Sequence, residues 1–399
     1  MLLRGIGVPR ADRSVVVLGA GASRGASFSG PGCQVLPPLD ADFFRLAQHL
    51  DEADYKEHAK PVLEFLRDEY GPRGLPTLET VFTQLEGFDR FLRQFSTGRG
   101  RRTSRYRKQL GYLQGLIPAV FRAAFNGMTC DWHDRIAQSL RAGDAVVSFN
   151  YDTLMDDSLK RWARGIWDAS CGYGLAVDRG SAAWTADRTP GPFPREFPLL
   201  LKPHGSLHWF NVRPDEEKLD LRGDPYAQRA AKTNIIPPTW DKAILGRWPW
   251  KPIWERASRY LQQVRCLIVI GYSVPPTDLM SQALMKSSLS NAALRLLVVV
   301  NPDVEARGRV IDLARAAIKP KTRVIELGAL QDFALLLDET SAERRRRAAA
   351  LRPLRREIGK LERKIADLRE DELWDLDSRV DDLEQLEARV TQLEDNGSS

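Results

Sequence analysis

Five short polar stretches stand directly behind apolar runs: GAGAS at 19–23, SFNYDT at 148–153, KPHGS at 202–206, GYSVPPTD at 271–278 and VNPD at 300–303. Glycines in such a position let the backbone come close to a pyrophosphate and offer N–H groups, with the hydroxyl of Ser23, as donors. Asn150 is suited to hold a hydroxyl or a water. His204 is suited to accept a proton, because an imidazole ordinarily titrates at about 6.5. The Gly-rich turn alone is weak, since Arg24 occupies the place of the third glycine in G-x-G-x-x-G. Asp152 has two readings, a ligand-facing carboxylate or the N-cap of a helix starting near Thr153. His208 rivals His204, and the adjoining Gly205 favours His204 because it lets a ligand approach.

These residues need strands to carry them. Runs rich in β-branched residues predict strands at Ser14–Leu18, Ala145–Phe149, Leu199–Lys202, Cys266–Ile270, Leu296–Val300 and Thr322–Glu326. Helical stretches alternate with them, which predicts an α/β fold with a Rossmann-like, doubly wound, mostly parallel sheet. In such sheets ligands bind beyond the carboxyl ends of the strands, where all five polar stretches fall. Helical periodicity over roughly 41–50, 57–70, 78–95, 109–125 and 131–141 fills the long interval between the first two strands. It predicts an inserted helical subdomain over about 41–142. Regions 165–198 and 211–250, rich in Pro, Gly and Trp, read as irregular surface with short elements.

The chain has 399 residues, 59 Lys+Arg, 53 Asp+Glu and 43% hydrophobic residues, a globular composition that excludes a disordered or fibrous chain. Its longest apolar runs fall short of the roughly 18–20 residues a membrane span needs, and MLLRGIGVPRADRS is too short in apolar residues for a secretory signal, so a cytoplasmic location is expected. Four scattered cysteines, Cys33, Cys130, Cys171 and Cys266, form no C-x-x-C pair, which argues against a disulfide framework and a cysteine zinc site. Charge separates along 341–399: residues 343–370 carry a net +6 and residues 371–395 a net −8. Leu351, Leu354, Ile358, Leu361, Ile365 and Leu368 recur at steps of three and four, as do Leu373, Leu376, Val380 and Leu383. This predicts a coiled-coil-like helical tail that either folds back as a hairpin or pairs with another subunit. The stretch 96–108 holds five Arg and one Lys and reads as an exposed loop, open to a nucleic acid, an acidic partner or solvent alone.

The ordered set GAGAS, FNYD, HG, G-x-S and VN at successive strand ends resembles the sirtuin family. It is more closely similar to the sirtuin-like NAD-consuming domains of bacterial antiphage defence proteins, in which an Asn-Tyr-Asp triplet and a His-Gly-Ser-Leu stretch are typical. The resemblance covers about residues 14–335. It implies a catalytic domain over 1–340 followed by the tail. It implies Gly19, Ala20, Gly21 and Ser23 on the NAD phosphates, Asn150 and Asp152 near the nicotinamide and its ribose, and His204 as catalytic base. Gly271 and Ser273 would meet the adenosine-side phosphate and ribose, and Asn301 the adenosine ribose. Two departures stand out. Residues 211–250 contain no Cys, so the zinc module of deacylating sirtuins, and any zinc, is not expected; and Phe149 precedes Asn150 where those enzymes carry Gln.

Three functions follow as expectations. The first is an NAD glycohydrolase that yields nicotinamide and ADP-ribose and depletes NAD in an antiphage response. The second keeps the site and changes the acceptor, as a protein deacylase or ADP-ribosyltransferase. The third is a non-catalytic module that binds NAD or ADP-ribose and organises a complex through its tail. The resemblance implies a homo-oligomer, or pairing with a HerA-type ATPase or, as a weaker alternative, a short Argonaute.

Overall fold

The computed structural model describes residues 12–338 except 31–32, 34, 72–73, 96–104, 126, 163–166, 179–197, 224–225, 227–233 and 237–245, with Pro353, Glu357 and Gln385 beyond. The expected helical tail therefore lies outside the described residues but for those three positions. The chain divides into two compact units, Val8–Phe333, and Met1–Gly7 with Ala334–Ser399.

Strand β1 (Ser14–Leu18) leads into the short helix α1 (Ala20–Arg24). Helices α2 (Phe43–Ala47), α3 (Glu52–Asp54), α4 (Lys60–Tyr70), α5 (Leu78–Phe95), α6 (Arg105–Phe125) and α7 (Asp131–Ser139) follow. Then come β2 (Ala145–Ser148), α8 (Leu154–Trp162), α9 (Ala169–Gly172), β3 (Ala176–Asp178) and β4 (Leu199–Leu201). The short strands β5 (Gly205–Ser206), β6 (Trp209–Arg213), β7 (Lys218–Leu221) and β8 (Asn234–Ile235) precede α10 (Trp250–Gln262). The chain closes with β9 (Cys266–Ile270), α11 (Leu279–Leu289), β10 (Leu296–Val300), α12 (Val304–Ala314), β11 (Arg323–Leu327) and α13 (Leu330–Asp338).

Six strands form one parallel sheet in the order β4-β2-β1-β9-β10-β11. Numbered by chain order within the sheet this is 3-2-1-4-5-6, the Rossmann-like doubly wound order. The order reverses between β1 and β9, whose residues pair in register from Ser14 with Cys266 to Leu18 with Ile270. β1, β2, β4, β9 and β10 are buried along their whole length, which is why they read as unbroken apolar runs. Of the two terminal strands β4 is buried and β11 is largely exposed. It begins at Arg323 rather than the expected Thr322, while β2 and β4 each end one residue earlier than expected.

The helices between β1 and β2 share a core that includes Phe43, Phe44, Leu66, Phe82, Leu116 and Val120. The same cluster takes in Leu154, Leu207 and Tyr226, so this helical layer lies against the segments that leave β2 and β4 at their carboxyl ends. A π-helical turn over Tyr55–Ala59 joins α3 to α4. Arg105–Lys108, read from sequence as loop, form the start of α6. The region expected to be irregular contains a further sheet in the order β3-β7-β6 and a two-stranded pairing of β5 with β8. Among the described residues no helix is long and apolar enough to cross a membrane.

Candidate functional site

At the reversal point the turn after β1 meets the turn after β9. The Gly19 amide donates to the Ile270 carbonyl and the Gly21 amide to the Gly271 carbonyl, both at 2.9 Å; the Gly271 amide donates to Val300 at 2.8 Å. Gly271 has φ +62°, and a Cβ there would stand 2.0 Å from the Ala22 nitrogen. A Cβ on Gly19 would stand 2.5 Å from the Gly271 oxygen, and one on Gly21 2.8 Å from the Gly271 Cα. The glycines thus let two backbones touch. The amide donors expected of Gly19 and Gly21 for a phosphate are engaged inside the fold, a correction to the sequence reading that follows from this close approach. Ala20 is exposed at the mouth of the turn.

The first polar group behind this turn is a relay of three side chains. The Asn150 carboxamide donates to the Gly19 carbonyl at 3.0 Å and to Ser23 Oγ at 2.9 Å, and Ser23 Oγ donates to Asp152 Oδ2 at 2.6 Å. With both N–H groups so placed, the carboxamide oxygen of Asn150 is the atom oriented for a further hydrogen bond. Asp152 Oδ1 accepts the Leu154 amide at 3.1 Å, so Asp152 both caps the start of α8 and anchors Ser23. Ser23, Asn150 and Asp152 are all buried.

Beneath them lies a second network. Lys202 Nζ donates to the Asp152 carbonyl at 2.5 Å and to Asp156 Oδ2 at 3.0 Å. Asp156 also accepts the Tyr173 hydroxyl, which lies 2.9 Å from His208 Nε2, while His208 Nδ1 lies 2.9 Å from Ser206 Oγ. Burial pushes His208 down to about 3, so it stays neutral inside the network. This separates the two rival histidines: His208 holds the segments behind β2 and β4 together, and His204 stands at the edge.

His204 is packed among aromatic rings, 5.1 Å from Phe149, 6.3 Å from Trp254 and 6.5 Å from Tyr151 between centroids. Phe149 also stacks on Tyr272 at 5.0 Å. Since Phe149 precedes Asn150 in the chain, this ring links the histidine to the relay. His204 Nε2 lies 3.2 Å from Ser281 Oγ and 3.8 Å from Asp278 Oδ1. The Trp254 indole N–H fixes the loop by donating to the Pro203 carbonyl at 3.0 Å.

The remaining predicted residues lie farther along the sheet edge. Ser273 is exposed, and its carbonyl accepts Arg309 Nε at 2.9 Å. The next residue, Val274, has φ +54°, an unfavourable conformation for a β-branched residue, in the loop between β9 and α11. Asn301 is buried and directs its Oδ1 to the Asp303 amide at 3.0 Å, so its side chain shapes the turn into α12. The structure therefore brings Gly19, Gly21, Ser23, Asn150, Asp152 and Gly271 together, sets His204 beside them through Phe149, and leaves Asn301 engaged in its own turn.

Sequence reasoning missed several groups at this edge. Ser281 comes from the start of α11, and Asp278, part of the polar stretch 271–278 but not singled out there, caps that helix. Glu79 of α5 accepts a hydrogen bond from Thr277, and the Glu79 amide donates to Asp40 Oδ1 at 2.8 Å. Burial raises Asp40, and burial together with Asp278 and Glu79 raises both Tyr151 and Tyr272, so these hydroxyls remain protonated. Nothing in the local sequence marks Glu79 or Asp40, which reach the edge only because α5 packs there. A further pair sits behind the relay: Cys130 Sγ lies 3.0 Å from His133 Nδ1 and accepts the Ser27 amide at 3.4 Å. Burial works to raise this thiol, but His133 and the amide outweigh it and bring it down to about 7. His133 is raised despite its burial, chiefly by Cys130, with Asp152 contributing. Among the described residues no group of three or more His, Cys, Asp or Glu is arranged to hold a metal ion.

Together these features define a class: a parallel α/β protein with a polar, aromatic-walled edge at the reversal point of its sheet. No family model matches the chain, and no curated protein matches it.

Proposed function

We propose that the chain is an NAD glycohydrolase, converting NAD and water to nicotinamide, ADP-ribose and a proton. The single observation that carries this reading is the Asn150–Ser23–Asp152 relay beside His204 at the carboxyl edge of β1, β2 and β4. Cleavage of the nicotinamide–ribose bond passes through an oxocarbenium-like state, which needs a water-poor pocket and an oriented nucleophile. In this reading Asn150, fixed through both N–H groups, presents its oxygen to a ribose hydroxyl or the attacking water, and a neutral His204 takes the proton. Phe149, Tyr272 and Trp254 exclude water around the imidazole. Asp152 acts through Ser23, holding the relay in place.

The reading extends to an NAD-depleting effector of antiphage defence, restrained until it assembles with itself or with a HerA-type ATPase, a short Argonaute being the weaker alternative. The helices between β1 and β2 would serve as an inserted subdomain covering the site, and the charged stretch 341–399 as the coiled-coil-like contact for assembly. Nicotinamide and ADP-ribose released from NAD by the full chain, alone and with its partner, test the proposal. Wild type is expected to release both, and Asn150→Ala and His204→Ala to lose at least about 100-fold, the scale of a lost acid–base group. Equal release by the variants overturns the assignment. Acyl peptide or protein acceptors labelled in place of hydrolysis would move it to group transfer.

A further inference from the structure

We propose that Asp278, at the start of α11, is the positioning carboxylate of His204, with Ser281 as the hydrogen-bond partner that fixes the ring. Asp278 is buried, so its charge needs a compensating group nearby. Its Oδ1 lies 3.8 Å from His204 Nε2 and accepts the Ser281 amide at 3.4 Å; its Oδ2 accepts the Tyr272 hydroxyl at 3.4 Å. Ser281 Oγ, one helical turn on, is 3.2 Å from the same imidazole nitrogen. Both contacts are made at Nε2, the nitrogen that carries the proton of the neutral ring in this assignment.

The charge balance around the ring decides what this does to its basicity. Asp278 at the start of α11 lies 3.8 Å from Nε2, and the Tyr151 ring lies 6.5 Å from the imidazole; Glu79 of α5 and Asp40 before α2 act on Tyr151. Asp278 favours the imidazolium, and Tyr151 and Tyr272, held protonated, add no charge. Asp278 is the carboxylate placed within ion-pair distance of His204 Nε2. Removing its charge should therefore lower the pH at which His204 titrates, and the base would become available at lower pH.

Histidine-labelled full chain followed by NMR across pH tests this without reference to turnover. The chain has five histidines, and His204→Gln assigns the resonance. In wild type the neutral ring is expected as the Nε2–H tautomer. Asp278→Asn keeps an N-cap for α11, since Asn caps as well as Asp. It is expected to lower the His204 midpoint by about one unit, a tenfold change in the protonation equilibrium. An Nδ1–H tautomer in wild type, which needs no variant, overturns the proposal. So does a midpoint in folded Asp278→Asn within about 0.3 unit of wild type.

The turnover arm rests on the NAD-splitting reading. The acid limb of nicotinamide release in Asp278→Asn is expected to move to lower pH with the NMR midpoint, whereas a merely structural defect lowers the rate at every pH. Absence of nicotinamide release from wild type with its partner present would sink that reading and leave the NMR outcome to decide the positioning role.

Discussion

Lys202→Met removes the lysine that pairs with Asp156 in the network beneath the site. Both side chains of the pair are essentially inaccessible, at 0% and 1% exposure, so solvent cannot screen the charge that is left. Stranding a buried carboxylate costs about 3–5 kcal/mol. Losing the bond from Nζ to the Asp152 carbonyl adds about 1 kcal/mol. A loss of about 4–6 kcal/mol is a large part of the roughly 5–15 kcal/mol that holds a folded protein together. The substitution should show its cause through pH. In the variant Asp156 can relieve itself only by keeping a proton, or by protonating His208, whose Nε2 lies 3.8 Å from Oδ1. A proton taken up by this network would offset the stranded charge, and proton uptake grows as pH falls. The deficit should therefore be largest near pH 8 and shrink toward pH 5.5. Urea unfolding at both pH values, read by tryptophan fluorescence, measures it. Asp156→Asn keeps a partner for Tyr173 without the charge, so the double variant should recover about 2 kcal/mol or more. A loss under about 1 kcal/mol, or the same loss whether residue 156 is Asp or Asn, refutes the reasoning.

Gly271→Ala should destabilise by about 1–2 kcal/mol for its positive φ and by about 1–3 kcal/mol more for the contact with Ala22; Gly127→Ala, at φ +71° with nothing within 4 Å, should show only the first part, and equal melting points would count against the close approach. The thiolate absorbance assigned to Cys130 by difference from Cys130→Ser should appear with a midpoint near 7. It should move toward the ordinary thiol range in His133→Asn, and a wild-type midpoint at that ordinary value would dispose of the ion pair. His208, lowered to about 3 by burial, takes no proton in the folded state where the unfolded chain does. Stability from this group is thus full above its unfolded value of about 6.5 and falls as pH drops toward 3, by on the order of 4 kcal/mol. His208→Gln should flatten that slope in acid unfolding curves, and an unchanged slope would contradict it.

The sheet was readable in the chain because strands buried on both faces must be apolar throughout. VVVL, CLIVI and LLVVV are suited to strands covered on both faces; β9 and β10 begin and end where their runs do, and β1 takes in Ser14 ahead of its run. The small sheet β3-β7-β6 was not readable. β3 has three residues and β7 alternates charged with apolar side chains, so neither stands out from loop. The π-helical turn at Tyr55–Ala59 likewise leaves the hydrophobic spacing of its helix almost undisturbed.

For the site, the sequence by itself determined which strand ends carry polar chemistry, and it singled out Asn150, Asp152, Ser23 and His204 by residue type and position. It could not say which amides remain available, because the partners of Gly19 and Gly21 lie some 250 residues away at Ile270 and Gly271. It preferred His204 to His208 only through the adjoining Gly205; the burial that makes His208 a neutral member of an internal network depends on every element packed around it. Ser281 and Glu79 were silent for the same reason, and Asp278, which ends the polar stretch 271–278, gave no sign in the sequence that it lies beside His204. A carboxylate acquires its meaning from the group a few ångströms away, and only the winding of the sheet and the seat of α5 and α11 bring those groups together.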